Sequence, residues 1–336
     1  MGQAWSKMFM GRVRINNTER WVGLIGGGYS GTKVSGGGGK SGKGFYVVDL
    51  NDGDILWTFT NSGPDGAVNA DMDYDLVAGP VAVDSDNDGF WDTAYVGDVG
   101  GNIWRFRFCL KNSDSTCGVA NWSGSMLFNN ASNSSIRPIY TPVSVTTDKS
   151  GRLWVYAGTG DKNDPTAANA QEKIYAIRDS DRTSTYTIND LDDITSVNST
   201  YDPYSTTKSG WYINMAGSSE KILAEPVLFE GRVYFTTYTP GSNTDPCNAA
   251  GTAKLYIVDY ITGAGKINGA RSEVLTGTGI PSAPIISRNP YGGTDIYVST
   301  SVASSISGSH TDKAIDPNIN TNPSNNVIYW RDNRVQ

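Results

Sequence analysis

Apolar and polar positions alternate along most of this chain, and the alternation comes in short runs. Phe45-Tyr46-Val47-Val48-Asp49 is one run and Asn102-Ile103-Trp104-Arg105-Phe106 another. The pattern returns at Lys173-Ile174-Tyr175-Ala176-Ile177, at Lys254-Leu255-Tyr256-Ile257-Val258-Asp259 and at Val327-Ile328-Tyr329-Trp330-Arg331. Period-two runs of β-branched and aromatic residues predict strands with one face on a core. Gly, Asn, Asp and Ser separate them, which marks turns. Runs with helical periodicity are scarce.

A second strand pattern precedes each run: Trp21–Gly26, Thr93–Asp98, Leu153–Gly158, Arg232–Thr236 and Asp295–Ser299. A third opens most units with Pro among small apolar residues, as at Pro80, Pro142, Pro226 and Pro284. Each unit therefore reads as four antiparallel strands, the last two joined by a Gly-containing turn such as Asp49–Asp54. Successive copies lie roughly 60–80 residues apart, at or above the long end of propeller repeats. One such unit cannot bury both faces, whereas a stack of them can. The predicted fold is an all-β propeller with about five recognisable blades, up to seven if degenerate blades are counted. A β-sandwich with accidental internal similarity is the competing architecture.

Long surface insertions are expected at Gly36–Gly42, at about Ile188–Tyr212 and at Ser305–Asn326. Gly39-Lys40-Ser41 resembles the end of a phosphate loop, but no helix follows to receive a phosphate. Residues 1–336 read as one propeller domain.

The chain has 336 residues, 39 of them Gly, and a formal net charge of −7. No stripe of Lys and Arg runs along it, which argues against a nucleic-acid partner. No run is long and apolar enough to form a membrane-spanning helix. The N-terminus lacks the apolar core of a signal peptide, so export would require a signal upstream. If it is exported, the chain reads as a piece cut from something longer. Cys109 and Cys117 bracket a short polar loop of bridging size. A disulfide there implies an oxidising compartment; the alternative is two unrelated thiols. Cys247 is left over, and the single His, His310, lies in a low-complexity loop.

The sharpest chemistry is Asp84-Ser85-Asp86-Asn87-Asp88-Gly89-Phe90-Trp91-Asp92. Carboxylates stand at positions one, three, five and nine, with Gly at six. Calcium takes six to eight oxygen ligands, and alternating Asp residues on a tight loop can aim theirs at one point. Gly89 permits the sharp turn. The expected ligands are Asp84, Asp86, Asp88, the Phe90 carbonyl and Asp92, the last as a bidentate carboxylate. Strands flank the loop, so the site is expected on a β-hairpin. Asp71, Asp73 and Asp75 also alternate; they read as a solvated acidic edge or, less favourably, a second weak cation site. Asp98 and Asp161 follow Gly-terminated strands and are expected to cap turns.

The stretch Asp84-x-Asp86-x-Asp88-Gly89-x-x-Asp92, followed by Tyr95-x-Gly97-Asp98-x-x-Gly101-Asn102-x-Trp104-Arg105-Phe106, resembles the C-terminal propeller of PilY-type type IV pilus factors. Gly26-Gly27-Gly28-Tyr29, Gly158-Thr159-Gly160 and Phe235-Thr236-Thr237-Tyr238-Thr239-Pro240 agree with it. No paired His/Cys metal spacing, nucleophile elbow or dinucleotide fingerprint is present, so the chain reads as non-enzymatic. The resemblance implies an exported protein at the pilus tip or bacterial outer surface, with this chain its C-terminal part or a short paralogue. It implies a Ca2+-dependent balance of pilus extension and retraction, with support of adhesion and twitching motility. The implied partners are type IV pilin or minor pilin subunits, and a host or abiotic surface. Two other propeller classes share features. The Asp49-x-x-x-Gly53-x-x-x-Trp57 turn is similar to those of quinoprotein dehydrogenases, whose vicinal cysteines are missing here. Ligand-binding propellers of the integrin-α type repeat the acidic loop in several blades, whereas one unit carries it here.

Overall fold

The period-two runs form the central strands of successive antiparallel sheets in a computed structural model of the chain. It describes residues 2–31, 41–61, 67–110, 116–132, 135–167, 171–196, 198–217, 219–241, 250–288, 294–302 and 311–313. The first blade runs β1 (Phe9–Ile15), β2 (Thr18–Gly27), β3 (Gly42–Asp49) and β4 (Ile55–Thr60), with β5 (Ala67–Val68) added parallel to β4. The second is a four-stranded meander of β6 (Val81–Val83), β7 (Thr93–Gly97), β8 (Ile103–Arg107) and β9 (Ser123–Phe128). The third holds β10 (Ser144–Thr147), β11 (Leu153–Gly158), β12 (Lys173–Asp179), β13 (Asp192–Asp193) and β14 (Gly210–Asn214), with β14 between β12 and β13.

The fourth blade is β15 (Val227–Phe229), β16 (Arg232–Thr239), β17 (Thr252–Asp259) and β18 (Ser272–Pro281). The far end of β18 crosses to a fifth unit of β19 (Ile285–Arg288), β20 (Thr294–Val302) and β21 (Thr311–Lys313). The all-β propeller and its repeated unit are as the sequence predicts. The copy at Val327–Arg331, the Gly36–Lys40 run, Cys247 and His310 lie outside the described residues.

Alternation along the strands makes the core. On β8, Trp104 and Phe106 pack toward the first blade with Val22, Leu24, Phe45 and Val47. Phe45 and Phe106 stack with centroids 3.9 Å apart. Ile103, one residue out of phase, packs toward the third blade with Val155, Tyr175 and Ile177. Trp154, Tyr156 and Ile174 in turn meet Val233 and Phe235 of the fourth blade. Tyr234 and Leu255 meet Ile296 and Val298 of the fifth. The second, third and fourth sheets thus bury both faces, as stacked repeats require.

One expectation is corrected. The segment from Ile188 to Tyr212 is not a surface insertion. It supplies β13 and most of β14, and it buries Leu191, Ile194, Tyr201 and Trp211. Its apolar residues are spaced without a period of two, so the strand signal was masked by the polar residues between them.

Candidate metal centre

The acidic stretch is the hairpin loop between β6 and β7. Val83 pairs with Thr93, and Asp92 N–H donates to the Val83 carbonyl at 3.0 Å, closing the loop at its base. Two residues turn the backbone back on itself. Asn87 has φ +58° and Gly89 has φ +89°, the left-handed region that Gly enters without steric cost and Asn tolerates. The first carboxylate organises the turn: Asp84 accepts from Asp88 N–H at 3.1 Å and from Gly89 N–H at 2.7 Å. Asp88 accepts from Phe90 N–H at 2.9 Å.

This winding brings Asp84, Asp86 and Asp88 together. One carboxylate oxygen from each lies within 4.8 Å of the others, and all three residues are half-buried. Among the described residues no other His, Cys, Asp or Glu group gathers in this way. Burial holds the Asp88 carboxyl above its ordinary range, and the adjacent Asp86 and Asp84 charges push the same way, against Phe90 N–H and Arg14. The donor set is all oxygen, negatively charged and flexible in geometry, which fits a hard divalent cation, calcium better than magnesium.

Asp92 departs from the expected ligand set. Its carboxylate is outside the cluster and is committed elsewhere. It accepts from Ser85 N–H at 2.7 Å, Ser85 Oγ at 2.8 Å and Thr93 Oγ1 at 2.7 Å. Arg182 of the third blade lies 2.7 Å from its Oδ1 and also donates to Thr93 Oγ1. These donors hold the carboxylate away from the three-carboxylate cluster. Asp71, Asp73 and Asp75 are likewise not brought together. They lie in irregular backbone rather than a strand. Asp75 is fully buried on Ser30 N–H and Oγ, Asp73 accepts from Asn61, and Asp71 is exposed. Asp98 and Asp161 do cap turns, Asp98 through Gly100 and Asn102 N–H and Asp161 through Asn163 and Asp164 N–H.

The loop is not a free rim hairpin. Trp91 N–H donates to the Arg12 carbonyl at 2.8 Å, capping the open edge of β1. Phe90 and Trp91 then straddle that strand. Trp91 stacks on Phe9 at 4.8 Å, on the core-facing side, and its ring fills the space over Gly11. On the opposite side, the Phe90 ring lies 5.3 Å from the Arg12 guanidinium and 4.6 Å from that of Arg14. Arg12 also donates to the Gly89 carbonyl at 3.1 Å, and Arg14 pairs with Asp88 at 3.1 Å. Asp84, Asp88, Gly89, Met10 and Trp21 all line a cleft of about 910 Å3. Sequence reasoning missed Arg12, Arg14 and Arg182. Their signal is only that each lies about one repeat from the loop residue it touches.

Cys109 and Cys117 are joined, with Cα atoms 5.9 Å apart, and Cys109 packs into the core between the first two blades. The Cys117 carbonyl accepts from Asn16 N–H in the β1–β2 turn, which ties this loop to the first blade as well.

Comparison with known proteins supplies the family. The model of the PilY1 β-propeller domain matches residues 2–195. A type IV pilus biogenesis factor PilY1 homolog of Xylella fastidiosa is 28% identical over 309 residues, covering 82% of this chain and 20% of that protein. The type IV pilus biogenesis factor PilY1 of Pseudomonas aeruginosa is 24% identical over 327 residues, covering 78% and 27%. The chain thus spans about a fifth to a quarter of the length of these relatives. The crystal structure of the P. aeruginosa PilY1 C-terminal domain superposes with a TM-score of 0.63 at 19% identity, over 88% of this chain and 71% of that one. No helix among the described residues is long and apolar enough to cross a membrane. The family match spans more than half of the chain and agrees with the repeated blades and the fold: this chain belongs to the PilY1 β-propeller domain family.

Proposed function

We propose that this domain is a calcium-responsive, non-catalytic part of a type IV pilus biogenesis factor, exported to the outer surface of a bacterium. The observation that carries the reading is the convergence of Asp84, Asp86 and Asp88 within 4.8 Å, on a loop anchored to the blades on both sides. These three carboxylates, joined by the Phe90 carbonyl, would hold the ion. When bound, calcium supplies charge neutralisation and a fixed oxygen-ligated centre.

The chain's own residues carry the consequence outward. Phe90 and Trp91 grip β1, and Arg182 holds Asp92 to the third blade. Asp92 acts as a positioning residue: its contacts with Ser85 keep the loop's first turn in register with its last. An ordered loop therefore fixes a surface shared by three blades, and that surface is the one we assign to pilin or minor pilin subunits at the pilus tip. Its order sets the balance of pilus extension and retraction, and with it twitching motility and adhesion to a host or abiotic surface. The naming of the relatives as type IV pilus biogenesis factors supports this assignment.

Titration calorimetry of the purified chain with CaCl2 tests the reading. Wild type is expected to bind one ion, and Asp86→Asn and Asp88→Ala to lose that binding. Asp86→Asn removes one carboxylate charge while leaving the Arg14–Asp88 pair in place. Unchanged affinity in both variants, or no binding by wild type, would refute the assignment.

A further inference from the structure

The carboxylate at the centre of the loop already has a cation on it. Arg14 Nη2 lies 3.1 Å from Asp88 Oδ2, in a pair whose side chains are 23% and 4% exposed. The guanidinium is held there by more than the charge, because it also lies over the Phe90 ring at 4.6 Å. Arg14 belongs to β1, so the counter-charge comes from a different blade from the loop. Arg12, two residues earlier on the same face, is engaged differently. It donates to the Gly89 carbonyl and to Glu19 rather than to a loop carboxylate.

Three half-buried carboxylates within 4.8 Å repel one another strongly. Arg14 is the charged side chain that offsets this repulsion at Asp88, beside the Phe90 N–H. A divalent ion accepted by Asp88 would share that carboxylate with a guanidinium of like sign. Partial burial weakens the screening between them.

We propose that Arg14 is a built-in counter-ion that competes with the divalent cation for Asp88, sets the affinity of the loop, and so couples its occupancy to the edge strand β1 of the first blade. The inference rests on the calcium reading above and goes beyond it: it says what the ion must overcome. By linkage, whatever free energy holds Arg14 on Asp88 is subtracted from cation binding, and cation binding loosens Arg14 by the same amount. Asp92 lies outside the three-carboxylate cluster and is held instead by Ser85, Thr93 and Arg182. Strand β1 is the element that registers the exchange, because its Arg12 carbonyl, Arg14 side chain and Gly11 all touch the loop.

The test is calorimetric titration of the full chain with CaCl2, comparing wild type, Arg14→Gln, Arg14→Lys and Arg20→Gln. Arg20 pairs with Asp49 on the same sheet and serves as the control. Arg14→Gln is expected to bind calcium about tenfold more tightly, the order of the repulsion removed at partly screened range. Arg14→Lys loses the flat contact with Phe90 and is expected to fall between the two; Arg20→Gln should match wild type. A second readout is the Arg14 Nε resonance, which should shift when calcium is added to wild type while that of Arg20 stays in place. If wild type binds calcium and Arg14→Gln binds equally or more weakly, Arg14 is no competitor and the proposal falls alone. If wild type binds no calcium, the reading of the loop falls and takes this inference with it. Should Arg14→Gln not fold, Arg14→Lys decides by the same criterion.

Discussion

Asp179→Ala should be the costliest single change near the loop. Arg105 Nη1 meets Asp179 Oδ1 at 2.8 Å, and both side chains are fully buried between the second and third blades. Tyr95 donates its hydroxyl to Asp179 Oδ2 at 2.7 Å, and Arg182 donates its backbone N–H to Oδ1 at 3.0 Å. Alanine leaves a buried guanidinium without its counter-charge and a buried phenol without its acceptor. Breaking a buried pair from one side costs about 3–5 kcal/mol. The stranded hydroxyl is worth about 1–3 kcal/mol by itself, but the two losses share one site and do not add in full. We therefore expect a loss of about 4 kcal/mol, a large part of the ~5–15 kcal/mol typical of a folded domain. Urea denaturation followed by Trp fluorescence at neutral pH reads it as a lower midpoint at unchanged slope. The double variant Arg105→Met/Asp179→Leu should recover most of the loss, because it removes the charge as well as the partner. A loss below about 1 kcal/mol in the single variant, within the range of exposed ion pairs, would refute the reasoning. So would a double variant no more stable than the single one.

Two further outcomes follow from buried contacts. Glu172 is buried with Oε2 on Thr159 Oγ1 at 2.6 Å, and burial pushes its carboxyl up to about 7. Its folded pKa lies above the unfolded value of 4.5, so the folded state holds the proton more tightly; that stabilisation is complete below 4.5 and is lost as pH rises through about 7. Glu172→Gln should flatten this dependence and be more stable than wild type at pH 8, by up to about 3 kcal/mol, in thermal melts across pH 4–8; an unchanged slope would count against the assignment. Gly11→Ala would place a Cβ 2.2 Å from the Trp91 ring, so the ring must move off β1. A cost of about 1–3 kcal/mol in denaturation, with faster amide exchange across residues 84–92, is expected; protection equal to wild type would show that the loop does not depend on that seat.

The blades were legible because a propeller strand advertises itself locally. Trp104 and Phe106 alternate with Ile103 and Arg105, and both faces of β8 are buried, so the period of two survives into the structure. The loop's turn was legible in Gly89, which sits where the backbone enters the left-handed region; the left-handed Asn87 and the amides that Asp84 accepts from were not. Spacing alone places Asp92 in a ligand position, whereas the structure sets its carboxylate apart from the other three. Spacing carries no information about Arg182, which arrives from the next blade and fixes the carboxylate first. The segment holding Leu191, Ile194 and Tyr201 was missed because those residues are buried by tertiary packing without forming a regular strand.

The contacts hidden from a local reading share a length scale. Arg105 to Asp179 is 74 residues, Arg12 to Gly89 is 77 and Arg182 to Asp92 is 90. The first two are about one blade and the third somewhat more. In a stack of repeats a residue meets its neighbour's equivalent region after one period, so inter-blade contacts are long in sequence yet regular in space. The acidic loop sits between two such contacts, Arg14 and Arg12 arriving from the blade before and Arg182 from the blade after. A loop held only by its own hairpin could order or loosen without consequence elsewhere. This one cannot, because its fifth residue pairs with β1 and its ninth with the β12 turn, whose neighbour Asp179 closes the buried pair with Arg105. Any change in the charge on Asp88 is therefore felt first at the edge of the blade before it, while the tether to the blade after it stays in place.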